Sequence, residues 1–339
     1  MIVSRTPFRI SFFGGGTDYP SWFEKNNGSV ISTTIDKYLY ITVRFLPPFF
    51  SHRHRIVWSK VELVDKISEI KHPLIREGLN LMGFSKNGIG FDIHYQSDLP
   101  ARSGMGSSSA FSVGLLKSLY EILNKKITKK TLSYEAIKLE RDILREYVGS
   151  QDQSAVAHGG FNRIDFKKNH KINVRKINIK KHRIKELESN IMLFYTGISR
   201  SASKIAESIV KRTDKNQLIL KKMQVITDQA YNILKSESSL DKIGDLLDES
   251  WNLKRKLSDS VSNLRIDNIY KKAKQNGALG GKILGAGGAG FMIFFVNKKN
   301  QLRVRNALDK LLWVPFKFTN SGSSIIYRDY KDRLMANPK

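Results

Sequence analysis

The feature that most constrains this chain is a glycine- and serine-rich segment at residues 100–110, with the sequence PARSGMGSSSA. Upstream of it, Phe91, Ile93 and Tyr95 alternate with other residues, a spacing typical of a strand. Downstream of it, apolar residues recur at helical spacing over residues 111–122. The segment is therefore predicted to connect a strand to the first turn of an amphipathic helix.

Such a loop is suited to bind phosphate. Gly104 and Gly106 allow the backbone to turn tightly and to approach a ligand closely. Free N–H groups and the positive end of the helix dipole then face an anion. The loop is not a Walker A motif, because the GxxxxGK[ST] spacing is absent and no lysine follows the glycines. Taken alone, the segment is also compatible with a flexible connection between a strand and a helix.

Two further segments favour the phosphate interpretation. Residues 7–20 read PFRISFFGGGTDYP, and residues 280–291 read GGKILGAGGAGF. With the loop between them, they resemble the three ordered motifs of the GHMP kinases, the superfamily of galactokinase, homoserine kinase, mevalonate kinase and phosphomevalonate kinase. The resemblance extends from Arg5 to about Tyr327. The middle motif matches the family pattern PxxxGLGSSxA, with Met105 in place of leucine.

The resemblance implies an α+β fold of two lobes with an active-site cleft between them. The N-terminal lobe would contain a left-handed βαβ unit, and the C-terminal lobe would be ferredoxin-like. The residue pattern agrees, because mixed strand and helix signals give way to long helical patterns after residues 190–200. We therefore expect an N-terminal domain at residues 1–190, which binds ATP and holds the base, and a C-terminal domain at residues 191–339.

Individual elements are also predicted. Residues 1–45 are expected to form strands, and helices are expected from about residue 130 to 147, from about 150, and over 201–257. The basic segment 163–185 is predicted to form an exposed hairpin. Further strands are expected at residues 90–96, 191–195, 290–296 and 323–327.

Phosphoryl transfer requires a phosphate cradle, Mg²⁺, activation of the acceptor hydroxyl and positive charge for the transition state. The resemblance implies that Ser108 and Glu140 supply oxygen ligands to Mg²⁺, which takes a few such ligands and retains water. Glu140 precedes Arg141, as in the family's Glu-Arg pair; an ordinary surface glutamate is the alternative. The predicted ATP-binding residues are Pro100, Arg102, Ser103, Gly104, Met105, Gly106, Ser107, Ser108 and Ser109.

Asp152 and Arg9 are the predicted catalytic residues. Asp152 follows the Glu140 helix, where the family has its catalytic aspartate, and a carboxylate there can accept a hydroxyl proton. An aspartate that only stabilises a helix N-terminus is the alternative. Arg9 aligns with a galactokinase arginine that helps to hold the base, and Asp18 aligns with the aspartate that binds sugar hydroxyls. The predicted substrate-binding residues are Gly15, Gly16, Thr17, Asp18, Asp152, Ser199, Arg200 and Gly287.

The acceptor is predicted from finer resemblances. Gly15 and Gly16 replace the Glu-His of galactokinases, so space is gained and galactose is disfavoured. The first motif, with GSQDQ at 149–153 and GGFN at 159–162, most resembles the D-glycero-D-manno-heptose 7-phosphate kinases. These enzymes phosphorylate the anomeric hydroxyl and give a 1,7-bisphosphate on the route to GDP-heptose. The family's YTGxxR segment recurs at 195–200, where Ser199 and Arg200 are expected to bind a distal phosphate unless Arg200 is a solvated surface arginine.

The formal net charge is +27. It is compatible with nucleic-acid binding, with attraction of anionic substrates, or with a solvated lysine-rich surface. We favour the interpretation that the charge covers a solvated lysine-rich surface and also attracts anionic substrates, because no known nucleic-acid-binding pattern accompanies the charge. The absence of cysteine excludes disulfides and cysteine-based metal sites. No signal peptide and no apolar run of about 20 residues is present, so we expect a cytoplasmic protein. We expect it to bind ATP and a small sugar phosphate, and no nucleic acid or membrane. The oligomeric state is left open.

Three alternatives to a heptose phosphate kinase stay open at this point. One is a kinase for an unphosphorylated sugar of the fucose or galactose type. Another is a non-catalytic regulator that binds a sugar or nucleotide, although a regulator need not keep Ser108, Glu140, Asp152 and Arg9 together. The last is a nucleic-acid-binding protein, which only the charge supports.

Overall fold

The computed structural model describes residues 1–86, 88–197 and 202–329. Its strands are β1 (Ile2–Phe13), β2 (Gly28–Phe45), β3 (His54–Val57), β4 (Val61–Val64), β5 (Phe91–Ser97), β6 (Asn162–Phe166), β7 (Ile172–Lys176), β8 (Ile191–Tyr195), β9 (Ala278–Ile283), β10 (Phe291–Val296), β11 (Leu312–Trp313), β12 (Phe318–Thr319) and β13 (Ser324–Arg328). Its helices are α1 (Pro20–Asn26), α2 (Pro73–Leu81), α3 (Ser107–Ile122), α4 (Lys129–Ile137), α5 (Gln151–His158), α6 (Lys181–Asn190), α7 (Ala202–Lys211), α8 (Gln217–Lys235), α9 (Asp241–Lys254), α10 (Leu264–Gln275) and α11 (Lys298–Ala307). A π-helix spans Lys138–Ile143, and 3-10 turns span Ile67–Glu69 and Phe84–Lys86.

Two sheets organise the described residues. The larger sheet has the order β13-β1-β2-β5-β3-β4; β12 and β6 also pair with β2, and β7 pairs with β6. All of its pairings are antiparallel except β3 with β5. The smaller sheet has the order β11-β8-β10-β9 and is antiparallel throughout. Every residue of its central strand β10 is buried, which explains the continuous apolar run FMIFFV.

Helix α3 packs closely on the long strands β1 and β2. Gly114 makes this approach possible, because a Cβ at that position would lie 2.8 Å from Oγ1 of Thr6. The Ser4 hydroxyl donates to the Gly114 carbonyl at 3.0 Å. Ser4 and Thr6 therefore face the helix, and the packing fixes the start of α3 near the other end of β1.

Most of the predicted elements are confirmed. They include the strands at residues 91–97, 191–195, 291–296 and 324–328, the helix that begins after Ser150, and three helices, α7 to α9, in the second half of the chain. No helix among the described residues combines the length and apolar character that a membrane crossing requires.

Three elements differ from the prediction. Residues 1–45 contain α1, which begins with Pro20 in its first turn and buries Trp22 and Phe23. The helix expected to reach residue 147 changes to a π-helix after Ile137, and this π-helix ends at Ile143. The basic hairpin ends at Lys176 and is followed by α6.

The end of the chain returns to the first sheet. Strand β13 pairs with β1, and β12 pairs with β2, although both lie after residue 190 in the sequence. The hydroxyls of Thr6 and Ser323 share a hydrogen bond of 2.8 Å beside this pairing. The chain therefore cannot be cut at a single point into one segment for each sheet.

Candidate active site

The glycine- and serine-rich loop is held from both sheets. The backbone N–H of Arg9, in β1, donates to the carbonyl of Met105 at 3.2 Å. The backbone N–H of Phe291, in β10, donates to the carbonyl of Ser103 at 3.1 Å. The loop thus lies where the first and third sequence motifs meet, at the wall of a cavity that both lobes line.

The two loop glycines are required by their conformation and their neighbours. Gly104 and Gly106 have φ values of 79° and 78°, in the left-handed region. A Cβ on Gly104 would lie 2.4 Å from the carbonyl oxygen of Leu284. Gly106 immediately precedes α3, and the first serines of this helix line the cavity. The N-terminus of α3 is therefore available to an anion.

Arg9 and Asp152 form a bidentate ion pair at the cavity. Nε of Arg9 donates to Oδ1 of Asp152 at 2.8 Å, and Nη2 donates to Oδ2 at 2.6 Å. Nη1 of Arg9 donates to the Gly104 carbonyl at 2.7 Å, so the same guanidinium also holds the glycine- and serine-rich loop. Arg9 is 2% exposed and Asp152 is 24% exposed. The arginine is therefore fixed, while the carboxylate keeps a face toward the cavity.

Asp18 is buried beside this pair. The N–H of Gly16 donates to its Oδ1 at 3.0 Å, and the Gln151 side chain also hydrogen-bonds the carboxylate. Burial raises the pKa of Asp18, and the negative charge of Asp152 raises it further. Two carboxylates thus face one cavity, one held by an arginine and the other by neutral donors.

Glu140 is fully buried but reaches the cavity wall. Its carboxylate accepts hydrogen bonds from the hydroxyl of Ser109 (3.1 Å), from the hydroxyl of Ser112 and from Nε2 of Gln153 (3.1 Å). Burial raises the pKa of Glu140 to about 8, and the charge of Glu146 adds to this shift. An isolated carboxylate here would be poorly stabilised, so a cation beside it would be favourable.

Glu140 lies in the π-helix that continues α4. The N–H of Leu144 donates to the carbonyl of Leu139, five residues earlier, at 3.1 Å. Such wider turns occur frequently at functional sites. Glu140 lies on the same buried face as Ser133, Ala136 and Ile137, at the i, i+3, i+4, i+7 spacing of one helical face.

The donor set near Glu140 is suited to Mg²⁺. Ser108 and Glu140 line the same cavity and offer one hydroxyl and one carboxylate. Mg²⁺ is commonly bound by one or two carboxylates together with phosphate oxygens and water. In the described ranges there is no group of three or more His, Cys, Asp or Glu residues that would hold a metal by itself. This arrangement therefore fits a cation that arrives with a nucleotide.

The structure brings together most of the residues predicted from the sequence. Those that line the cavity are Arg9, Gly15, Gly16, Asp18, Arg102, Gly104, Gly106, Ser107, Ser108, Ser109, Glu140 and Asp152. Those that do not line it are Thr17, Pro100, Ser103, Met105 and Gly287. Ser199 and Arg200 lie outside the described residues.

The residues that do not line the cavity support its wall. The Thr17 hydroxyl donates to the carbonyl of Gly14 at 2.8 Å and closes the turn of the first motif. Met105 is fully buried in the core. A Cβ on Gly287 would lie 2.6 Å from the carbonyl oxygen of Val261, so this glycine permits close packing inside the second lobe.

Sequence reasoning missed Lys254, which also lines the cavity. It is 4% exposed, and its Nζ donates to the carbonyl of Gly285 in the third motif. Burial lowers the pKa of Lys254 to about 8, and the charge of Arg9 contributes to the shift. One of many lysines on a helical pattern gives no sequence signal, because only its burial distinguishes it.

The comparisons with known proteins assign the family. The model of the GHMP kinases N terminal domain matches residues 73–160, and that of the GHMP kinases C terminal matches residues 230–312. The D-glycero-alpha-D-manno-heptose 7-phosphate kinase of Campylobacter jejuni is 31% identical over 337 residues, covering 95% of this chain and 97% of that protein. The chain belongs to the GHMP kinases. It is an ATP-dependent phosphotransferase, as expected from its motifs.

Solved structures agree with this assignment. A D-glycero-D-manno-heptose 1-phosphate kinase from Bacteroides thetaiotaomicron superimposes with a TM-score of 0.72 at 25% identity, covering 98% of this chain and 100% of that chain. The Lactococcus lactis galactokinase complexed with galactose superimposes with a TM-score of 0.73 at 19% identity, covering 95% of this chain and 94% of that chain. The predicted α+β fold of the GHMP kinases is confirmed.

Proposed function

We propose that this kinase transfers the γ-phosphoryl group of ATP to the anomeric hydroxyl of D-glycero-D-manno-heptose 7-phosphate, giving the 1,7-bisphosphate. The observation that carries the proposal is the Arg9–Asp152 ion pair, set between the start of α3 and the buried Asp18. The named substrate of the Campylobacter jejuni relative supports the choice of sugar. The product would serve cytoplasmic synthesis of GDP-heptose for a surface polysaccharide.

Asp152 is proposed to act as the general base. Its carboxylate takes the proton of the anomeric hydroxyl while the sugar oxygen forms a bond to the γ-phosphorus and the bond from that phosphorus to the bridging oxygen of ADP breaks. Arg9 positions the base by two hydrogen bonds. Because Arg9 also holds the carbonyl of Gly104, it keeps the base and the phosphate loop in a fixed relation.

The phosphates are proposed to lie against residues 104–109 and the N–H groups of α3. Ser108 and Glu140 would hold Mg²⁺, which neutralises charge on the phosphate oxygens when it is bound. Asp18, with its raised pKa and its donors Gly16 and Gln151, would bind a hydroxyl of the sugar ring. The space left by Gly15 and Gly16 would accept a sugar larger than galactose.

The test measures ADP release in a coupled spectroscopic assay, with Mg-ATP and a panel of acceptor sugars. The panel contains heptose 7-phosphate, heptose 1-phosphate, free heptose, mannose, galactose and fucose. Heptose 1-phosphate is included because the Bacteroides thetaiotaomicron protein bears that name. We expect turnover with the 7-phosphate. Turnover only with a free sugar, or no turnover at all with ATP still bound, would refute the assignment.

Asp152→Asn should lower kcat by about 10² to 10⁴-fold, since the amide cannot accept the proton, while ATP binding is retained. The matched control is Asp142→Asn on the π-helix, where the side chain is 53% exposed and pairs with Arg141. The control should keep its activity. Equal losses in the two variants, or full activity of Asp152→Asn, would remove Asp152 from the role of base.

A further inference from the structure

Lys254 is a buried cation at the cavity that the proposed mechanism does not use. It is the last residue of α9, a helix that packs against the second sheet. Its ammonium can donate three hydrogen bonds, and one of these goes to the carbonyl of Gly285. Across the ranges that the structure covers, Lys254 forms no ion pair with a carboxylate. The remaining two donors are therefore available to a ligand.

The surroundings of Lys254 make an anionic ligand favourable. Burial lowers the pKa of Lys254, and the charge of Arg9 lowers it further. The charges of Asp18 and Asp152 oppose this shift only in part. Lys282, buried behind it, has its own pKa lowered well below the usual value by burial and by the charge of Lys254. A buried cation without a carboxylate partner is costly, so a ligand that supplies negative charge would gain from this position.

The ammonium of Lys254 lies beside the point where the third motif meets the glycine- and serine-rich loop, because its partner Gly285 packs against Gly104, with a Cβ on Gly285 only 2.6 Å from the Cα of Gly104. The N–H of Leu257 donates to the Lys254 carbonyl at 3.1 Å, and Cδ1 of Leu257 lies 3.5 Å from where a Cβ on Gly16 would be. Gly16 in turn hydrogen-bonds Asp18. Leu257, three residues after Lys254, therefore faces Gly16, and the charges of both Asp18 and Asp152 act on the Lys254 ammonium.

Other cations at the cavity are less suited to the acceptor. Three N–H groups of Arg9 are engaged by Asp152 and the carbonyl of Gly104. Arg102 is exposed, and its charge acts on Glu146. Among the described residues that line the cavity, Lys254 is then the buried cation with free donors.

We propose, building on the function proposed above, that Lys254 binds the phosphate ester of the acceptor sugar and thereby selects a phosphorylated sugar over a free one. A phosphate dianion would occupy the two free donors of the ammonium and compensate the buried charge. Lys254 is in this view a substrate-binding residue on the second lobe, and Asp18 binds ring hydroxyls from the first lobe.

The test is Lys254→Met, which keeps the length of the side chain and removes its charge. With saturating Mg-ATP, we expect the KM for heptose 7-phosphate to rise at least about tenfold, as expected when a charged hydrogen-bond partner is lost, with kcat and the KM for ATP changed less than about threefold. Without ATP, heptose 7-phosphate should raise the melting temperature of the wild type but not that of the variant. The variant alone should melt no lower than the wild type, because a buried charge has been removed.

Lys282→Met is the matched control. Lys282 is an equally buried lysine of the same charge cluster, but its Nζ donates to the carbonyl of Phe12 at 2.9 Å and it does not line the cavity. Its replacement should leave the ratio of KM values for phosphorylated and free sugar unchanged. A fall in kcat with unchanged KM in Lys254→Met, or the same KM change in both variants, would overturn the inference. Failure of the wild type to use any sugar phosphate would instead refute the proposed function.

Discussion

Gly149 shows how one missing side chain shapes the proposed sugar site. A Cβ at this position would lie 1.9 Å from Oδ2 of Asp18. The N–H of the next residue, Ser150, donates to the carbonyl of Asp18 at 3.0 Å, so the two segments are already in contact. Asp18 can occupy its place only while residue 149 has no side chain.

Gly149→Ala should therefore displace the Asp18 carboxylate. We expect kcat/KM for the sugar to fall by about 10 to 100-fold, because small misplacements of a binding group are costly, with the KM for ATP unchanged. Steady-state kinetics with each substrate varied in turn would measure this. In an Asp18→Ala background, Gly149→Ala should have little further effect; additive losses would show that Gly149 acts through another group.

The π-helix carries Glu140, one of the two residues predicted to bind the metal. Its carboxylate is buried where α3 supplies two hydroxyl donors and α5 supplies the amide of Gln153. Three elements from different parts of the chain therefore satisfy one buried carboxylate.

Ser112→Ala should destabilise the protein by about 1–3 kcal/mol, because a donor to the buried Glu140 carboxylate is removed and that oxygen loses its partner. Urea denaturation followed by circular dichroism would give the free energy of unfolding. The matched control is Ser118→Ala on the same helix, where the buried hydroxyl bonds only the carbonyl of Gly114 within α3. If both variants lose the same stability, Ser112 has no special role toward Glu140.

At the scale of the whole molecule, the two sheets and the returning chain end enclose the cavity. Nζ of Lys282 in β9 donates to the carbonyl of Phe12 in β1, and the backbone N–H of Phe291 in β10 donates to the carbonyl of Ser103 in the glycine- and serine-rich loop. Gly290 of the third motif allows close packing there, since a Cβ on it would lie 2.1 Å from the carbonyl oxygen of Ser103. The lobes are thus joined by a buried lysine side chain and by a backbone contact at the loop.

The net charge of +27 should speed the encounter with anionic substrates. We expect kcat/KM for heptose 7-phosphate to fall as KCl is raised from 20 to 500 mM (about 20 to 4 Å in screening length), with a smaller change for a neutral acceptor. The measurement is the initial rate at subsaturating sugar and saturating Mg-ATP. If KCl changes kcat/KM equally for charged and neutral acceptors, the salt effect arises from ATP or from the protein itself, and not from attraction of the sugar phosphate.

The sequence by itself determined the motifs, their order and the local turns. Glycines at 104 and 106, the strand before them and the helix after them follow from turn chemistry and periodicity, which involve neighbouring residues only. Arg9, Asp18, Glu140 and Asp152 could be named from the family resemblance, and the structure places all of them at one cavity.

Only the tertiary structure decided what surrounds those residues. Arg9 and Asp152 are separated by 143 residues in the chain, and Lys282 and Phe12 by 270. The roles of Lys254, of the π-helix and of the returning strands β12 and β13 depend on such distant contacts. Local patterns carry no information about them, because burial and charge coupling arise only when separate segments pack together.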